Sequence, residues 1–487
     1  MTRKNRPYLF YDTTSSVCTT CLRVIAATIL IKDSRVYMDK WCPAHGTERV
    51  LIADDAEYYR LCREVYIKPP ELPQQFNTKM KFGCPYDCGL CPDHMQHSCL
   101  TLVEITDNCN LRCPVCFAAS GPERARHKPL RDVIAMLDAV VANEGTPDVV
   151  QISGGEPTLH PDFFAILDAA RARPIRHLMV NTNGIRIAQD AAFAARLAEH
   201  RQGFEVYLQF DSFEPEALKS LRGADLTRIH RQAIDRLNEL DVSTTLVVTL
   251  EKGVNDGEIG RIIDFGLTQP CIRGVTLQPV QDAGRADGYD ARTHRLTVSE
   301  IRRRIVEQSS AFTLADIIPV PCNPDTLAMG YALKVEGRSL PLTRFVGPET
   351  LLQSEASTIA FEHDPAVKRR IFELFSTNQS PDGQATKLAD LLCCLPAIQA
   401  PASLSYRDVF RVLIVQFMDA RGLDIRALKK SCVHIAQPDG RLIPFESFNL
   451  FYRDDLSRQL ETLRMEIAAS TERRLASSIS RAVAPRQ

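Results

Sequence analysis

Cys109, Cys113 and Cys116 fall within the stretch CNLRCPVC, and the next cysteine downstream is Cys271. Thiolates select soft metals, among them zinc and the irons of iron-sulfur clusters. A four-iron cube wants one ligand per iron. Three protein thiolates therefore leave one iron open, and an open position separates a reactive metal site from a structural one. The stretch CPYDCGLC, with Cys84, Cys88 and Cys91, repeats the spacing, and Cys99 follows eight residues later. Four thiolates close a cube, which suits a structural or electron-relaying cluster. Nearer the N-terminus, Cys18-x-x-Cys21 and Cys42-Pro-Ala-His45 form two short knuckles separated by the β-type runs VIAATILI and RVYMDKW. Tight turns that each present two ligands make a mononuclear zinc or iron site, with His45, Cys62 or a more distant residue as its fourth ligand.

Eleven of the 16 cysteines lie between Cys18 and Cys116. No run of about 18 apolar residues is present to span a bilayer, and no leader-like apolar run follows the positively charged first residues. The expected location is therefore cytoplasmic. There thiols stay reduced, so the cysteines read as metal ligands and not as disulfides. With 59 Lys+Arg against 60 Asp+Glu, no bulk positive field recruits nucleic acid.

The elements that must position these residues are legible between about 101 and 290. Candidate strands are LTLVEIT from Leu100, VVQIS from Val149, HLMVNT from His177, EVYLQF from Glu205, TTLVVTL from Thr244 and GVTLQPV from Gly274. Helical periodicities such as Val133, Ile134, Leu137 and Val140 separate them. Continuous β-branched runs alternating with amphipathic helices predict parallel strands covered by helices. Six such units make an α/β fold, a partial (β/α)6 barrel, with its chemistry at the carboxyl ends of the strands. The motifs fall there: CNLRCPVC after the first strand, Gly154-Gly155-Glu156-Pro157 after the second, Asn181-Thr182-Asn183-Gly184 after the third and Gln209-Phe210-Asp211-Ser212 after the fourth.

A strand followed by CxxxCxxC, an aromatic residue (Phe117) and then GGEP resembles the radical S-adenosylmethionine (radical SAM) enzymes. The resemblance implies that Cys109, Cys113 and Cys116 bind a 4Fe-4S cluster whose open iron is chelated by S-adenosyl-L-methionine. Gly154, Gly155 and Glu156 would line the methionine amino group, Phe117 would lie near the adenine, and Asn183 would join the cofactor site. The implied chemistry is reductive cleavage of the sulfonium to a 5′-deoxyadenosyl radical that abstracts hydrogen from an unactivated carbon. A flavodoxin or ferredoxin would supply the electron.

The succession CTTC, KWCPAHG, GCPYDCGLCPDHMQHSC, ISGGEPTLHP and SCVHIAQPDGRLIPF is similar to the archaeal tetraether lipid synthases and their relatives, including methanopterin C-methylases. That likeness implies one or two auxiliary 4Fe-4S clusters and one mononuclear iron or zinc. The first auxiliary cluster would use Cys84, Cys88, Cys91 and Cys99, and a second would draw on Cys322, Cys394 or its neighbour Cys393, and Cys432. Glu446 stands where a further cysteine is expected after IPF.

The expected organisation is an N-terminal rubredoxin-like, zinc-ribbon-like metal module (1–75), an auxiliary cluster segment (76–100), the radical SAM barrel (101–290), a cysteine-containing α+β C-terminal domain (291–453) and a helix with its tail (454–487). Three functions compete. A radical enzyme joining carbons of a lipid chain needs a long apolar tunnel. A radical C-methylase of a pterin-like heterocycle needs a compact polar and aromatic pocket and a methyl donor. A non-catalytic iron-sulfur relay needs neither. The lipid reading is the first expectation, with a lipid or small-molecule substrate; peripheral membrane contact by the final helix is the alternative to its packing on the domain.

Overall fold

The structure, a computed structural model, describes residues 6–69, 71–335, 338–344 and 408–483. Cys393 and Cys394 lie outside the described residues. Strands β1 (Leu9–Val17), β2 (Val24–Lys32), β3 (Arg35–Cys42) and β4 (Gly46–Ala53) form an antiparallel sheet in chain order, followed by helix α1 (Ala56–Glu64). Asp33 and Ser34, both at positive φ, make the two-residue turn between β2 and β3, the geometry that matches strand twist. The sequence announces only β2 and β3. Strand β1, LFYDTTSSV, lies at the sheet edge with most side chains exposed or half-exposed, so it carries no apolar signal.

All six strands expected of the barrel are present. They are β5 (Leu100–Thr106), then, beyond a two-residue β6 (Val115–Cys116) in the following loop, β7 (Val149–Gly154), β8 (His177–Thr182), β9 (Phe204–Gln209), β10 (Thr244–Leu250) and β11 (Ile272–Pro279). They pair parallel, each beside its predecessor. Helices α2 (Leu130–Glu144), α3 (Phe163–Arg171), α4 (Ile185–Gln189), α5 (Ala191–Ala198), α6 (Pro215–Arg222), α7 (Thr227–Glu239) and α8 (Ile259–Thr268) connect them. Val133, Leu137 and Val140 of α2 and Ala233 and Leu237 of α7 are buried in one core with Val150, Val180 and Val206 of the strands.

Beyond β12 (Arg285–Ala286) and α9 (Val298–Gln308), the described residues of the C-terminal region build no sheet of their own. Its strands are β13 (Ile318–Pro319), β14 (Leu327–Val335), β15 (Arg338–Pro341), β16 (Val409–Val415), β17 (Val433–Ala436) and β18 (Leu442–Pro444). Strand β16 pairs parallel with β11 at one edge of the barrel sheet, and β17 pairs parallel with β5 at the other. Buried runs such as VFRVLIV thus satisfy the open edges that a six-stranded partial barrel presents. Buried charge ties this addition in: both Glu205 carboxylate oxygens accept from Arg411 Nη2 of β16, at 2.9 and 2.8 Å, and Glu205 Oε2 is 3.0 Å from His177 Nε2. Burial alone would raise the Glu205 carboxyl, but Arg411 and His177 outweigh it and hold it well below the usual range. In the final helix, Leu456–Val483, Leu460 and Leu463 are buried against the C-terminal core. No helix among the described residues is long and apolar enough to cross a membrane.

Candidate functional site

The loop after β5 carries the three cysteines, and the backbone of two other segments fixes it. Cys109 and Cys113 are buried and Cys116 half-buried. Cys116 lies in β6, which pairs with β12. Arg285 of β12 donates from Nε to the Cys113 carbonyl (2.5 Å) and from Nη2 to the Ser120 carbonyl (2.6 Å). On the other side, the Gly155 N–H donates to the Thr106 carbonyl and the Glu156 N–H to the Asn108 carbonyl, both at 2.8 Å. A Cβ on Gly154 would sit 2.3 Å from the Thr106 oxygen, and one on Gly155 2.2 Å from the Asn108 oxygen. Gly154 also has φ +133, where side chains are not at ease. The glycines of GGEP are thus required by the close approach of β7 to the cysteine loop itself.

The Glu156 side chain sits in a knot of strand ends. Its carboxylate accepts from the Thr158 N–H (3.1 Å), Thr158 Oγ1 (2.6 Å), Thr182 Oγ1 (2.8 Å) and the Asn183 N–H (2.8 Å). Burial pushes this carboxyl up, and those donors oppose the shift. Asn183 in turn donates to Asn110 Oδ1 at 2.7 Å, which ties the third strand end to the cysteine loop.

Cys109, Cys113, Cys116, Phe117, Gly154, Gly155, Glu156 and Asn183 all line one cavity of about 190 Å³. No other cysteine lines it among the described residues. Its barrel wall carries amides: Gln209 Nε2 donates to Asn181 Oδ1 (2.8 Å), and Gln278 Nε2 to the Tyr207 hydroxyl (3.2 Å). On the facing wall Phe117 packs edge-on against Phe417 and Phe445, with ring centroids 5.8 and 5.2 Å away.

Sequence reasoning missed Arg222, which lines the same cavity from the end of α6. It grips Asp211 through Nε to Oδ2 (2.5 Å) and Nη2 to Oδ1 (2.7 Å), and also reaches Gln209 Oε1 and Thr249 Oγ1. Burial pushes the Cys113 thiol up, and the Arg222 guanidinium beside it pulls the other way. Burial likewise raises Cys109 to about 12. Asp211, part of the strand-end motif Gln209-Phe210-Asp211-Ser212, takes a left-handed backbone with φ +61 in a buried place, a conformation that costs energy and persists where the surroundings enforce it. The donor set fits a cluster held by three thiolates, with a fixed cation next to the charge it would add.

The remaining cysteines sort differently from their order in the chain. Cys18, Cys21, Cys42 and His45 bring their ligand atoms within 4.8 Å of one another. His45 Nδ1 is 3.4 Å from Cys18 Sγ and 3.5 Å from Cys42 Sγ. Cys62 is not among them; it is buried in the barrel core on α1. Cys99 does not join Cys84, Cys88 and Cys91 as expected. It lies with Cys322 and Cys432, all three sulfurs within 4.8 Å of one another. The reason is register: Cys99 and Cys432 immediately precede β5 and β17, whose first residues, Leu100 and Val433, are partners. Cys88 instead meets Ser447, with Sγ to Oγ 3.0 Å.

The fold and this cavity define a barrel enzyme whose reactive centre is a three-cysteine loop at the strand ends. The family model of the radical SAM superfamily matches residues 103–266, and that of the HMPTM N-terminal zinc ribbon domain matches residues 10–54. A 7,8-dihydro-6-hydroxymethylpterin dimethyltransferase of Methanocaldococcus jannaschii is 30% identical over 488 aligned residues, covering 92% of this chain and 95% of that protein. The chain belongs to the radical SAM superfamily and is an enzyme of that class. A GTP 3′,8-cyclase of Pectobacterium atrosepticum is 30% identical over 215 residues, 42% of this chain and 62% of that protein. Among solved structures, Streptococcus suis SuiB bound to S-adenosylmethionine is similar at 20% identity and a TM-score of 0.33, over 40% of this chain and 44% of that one.

Proposed function

We propose that the protein is a radical SAM C-methylase acting on a pterin-like heterocycle. The observation that carries this reading is the match to the M. jannaschii pterin dimethyltransferase along nearly the whole of both chains, not over the barrel alone. The cavity supports it as well. This cavity, about 190 Å³, sets the amides of Asn181, Gln209 and Gln278 in one lining with Phe117, Phe417 and Phe445, and aliphatic side chains such as Leu102, Leu413 and Val415 complete it. A flat heterocycle has a polar edge for Asn181, Gln209 and Gln278 and a face for aromatic contact.

In this reading Cys109, Cys113 and Cys116 hold the 4Fe-4S cluster, whose open iron binds S-adenosyl-L-methionine. When bound, the pair supplies a 5′-deoxyadenosyl radical by one-electron cleavage of the sulfonium. The chain's own work is positioning and exclusion of water. Arg285, Gly154 and Gly155 hold the cysteine loop against the strand ends. Phe117, Phe417 and Phe445 cover the apolar side, and Arg222 keeps a positive charge beside Cys113. Cys18, Cys21, Cys42 and His45 hold one zinc or iron ion, and Cys84, Cys88 and Cys91 contribute to an auxiliary cluster. A flavodoxin or ferredoxin delivers the electron in the cytoplasm.

The test is anaerobic incubation of the reconstituted protein with excess S-adenosyl-L-methionine, serving as both radical source and methyl donor, dithionite as the source of electrons, and 6-hydroxymethyl-7,8-dihydropterin, beside Cys113→Ala. The expected result is 5′-deoxyadenosine together with a pterin heavier by one methylene, both absent from the variant. 5′-Deoxyadenosine without any change in the pterin, but with coupling of added isoprenoid lipid, would overturn the substrate and restore the lipid reading.

A further inference from the structure

We propose that Cys99, Cys322, Cys432 and His97 form a second single-ion metal site, a closed structural zinc centre, in place of a second auxiliary cluster. Three observations carry it. The first is spacing. Cys322 Sγ and Cys432 Sγ are 3.7 Å apart, and a tetrahedral ion with metal–sulfur bonds of about 2.3 Å sets its sulfurs about 3.8 Å apart. The N-terminal set has the same spacing, with 3.9 Å between Cys21 Sγ and Cys42 Sγ. A cube holds each thiolate on a separate iron and so keeps them further apart. Among the described residues, only these two sets gather their ligand atoms within 4.8 Å, and Cys109, Cys113 and Cys116 do not.

The second observation is a fourth donor. His97 Nε2 is 3.5 Å from Cys99 Sγ; it lies outside the group of atoms within 4.8 Å of one another, so its ring must close toward Cys322 and Cys432 when the ion binds. Its other nitrogen, Nδ1, is 2.9 Å from Glu144 Oε2, while Glu144 Oε1 accepts the Ser98 N–H at 3.0 Å. A carboxylate bound to one imidazole nitrogen fixes the tautomer and directs the other nitrogen at a metal, the arrangement typical of histidine ligands. The Glu71 carboxylate, 3.9 Å from Nε2 and more exposed, is beyond hydrogen-bond reach. The third observation is enclosure. Cys99, Cys322 and Cys432 are all buried, which suits a closed structural site and not one with an open position. The three cysteines come from the start of β5, the segment after β13 and the start of β17, so one ion would pin the C-terminal strands to the barrel edge.

The test is zinc K-edge X-ray absorption and metal analysis on the reconstituted full-length enzyme carrying Cys18→Ser and Cys21→Ser, which empties the N-terminal set. We expect about one zinc per chain with three sulfur ligands and one nitrogen ligand. Adding His97→Cys should convert the signature to four sulfurs, and adding Glu144→Gln should weaken zinc 10- to 100-fold in chelator competition, about the loss typical of such partners. Absence of zinc, with iron and sulfide lost together on adding Cys432→Ser, would overturn the single-ion site. An unchanged sulfur-to-nitrogen ratio in His97→Cys would overturn His97 as ligand, whatever becomes of the Cys432 variant's folding.

Discussion

Gly155→Ala tests whether the glycines of GGEP answer to the cysteine loop. The added methyl would stand 2.2 Å from the Asn108 carbonyl oxygen, 2.7 Å from its carbon and 3.0 Å from the Asp107 oxygen. All are backbone atoms, so no side-chain rotation relieves the clash. Ordinary contact begins near 3.4 Å, and the loop must therefore retreat by about 1 Å, at a strain cost of about 1–3 kcal/mol. Asn108 immediately precedes Cys109, and its carbonyl accepts the Glu156 N–H at 2.8 Å; loosening that bond adds about 1 kcal/mol. A misplacement of about 1 Å at reacting groups lowers rates roughly 100-fold. The assay is 5′-deoxyadenosine formation under anaerobic reducing conditions, with a thermal melt and iron content alongside. Gly257→Ala is the control, because nothing lies within 4 Å of its added methyl and its φ is not in the left-handed region. A parental rate and melting temperature in Gly155→Ala would refute the packing argument and return the glycines to a purely ligand-facing role.

His230, fully buried against Phe210, has its pKa pulled down to about 4 from 6.5 by burial, with Asp211 and Asp225 opposing and Arg222 adding. The folded state therefore binds this proton more weakly than the unfolded chain, and stability is lost as pH falls from 6.5 to 4, by about 3 kcal/mol; His230→Leu should flatten that part of a urea-unfolding pH series, and an unchanged slope would contradict it. Lys40 Nζ donates to the carbonyls of Val17, Ala420 and Arg421 at 2.9, 2.8 and 2.9 Å, so Lys40→Met should lower unfolding free energy by at least about 1–3 kcal/mol in denaturant titration. Arg222→Met should cost about 3–5 kcal/mol by leaving Asp211 buried without its cation, and Arg222→Met with Asp211→Leu should recover part of the loss in the same melt. Chelator treatment or Cys21→Ser should expose residues 9–53 to limited proteolysis if the N-terminal sheet depends on its metal, as small metal modules do; protection equal to the parent would argue against a bound ion there.

The parallel barrel was legible because strands buried on both faces spell unbroken apolar runs, as in TTLVVTL and VVQIS, and no helix of 3.6 period fits so short a run. The three-cysteine loop was legible from its spacing together with its place after the first barrel strand and the lack of a nearby fourth cysteine, since Cys84, Cys88 and Cys91 share the spacing. What the sequence hid was pairing over distance. VFRVLIV reads as a strand, but nothing in it names β11 as its neighbour, and VHIA is too short to signal its place beside β5. The same blindness misassigned Cys99. Proximity in the chain put it with Cys84, Cys88 and Cys91, while strand register put it with Cys432. Arg222 escaped because an arginine at a helix end is ordinarily a solvated cap residue; only the folded strand ends bring Asp211 to it.

The two ends of β5 explain why these cysteine sets must have different duties. Cys99 immediately precedes Leu100 and Cys109 follows Thr106 by a short turn. At about 3.3 Å per strand residue, the seven residues of β5 separate the two sets by roughly 20 Å. The cavity opens at the carboxyl end, with Cys109, Cys113 and Cys116 on its wall, and neither Cys99, Cys322 nor Cys432 lines it. The same cavity is also lined by Leu100 and Val433, the neighbours of Cys99 and Cys432, so a centre at the amino end lies behind the cavity wall without presenting a sulfur to it. Its influence must pass through the edges it fastens, β17 onto β5 and the segment after β13. Loss of that centre should therefore appear first as a lower melting temperature and earlier cleavage of the C-terminal segment. The early burst of 5′-deoxyadenosine from still-folded protein should remain. A loss of the burst at unchanged melting temperature would mean that the amino-end set carries electrons to the cavity, and a purely structural ion would then be the wrong occupant.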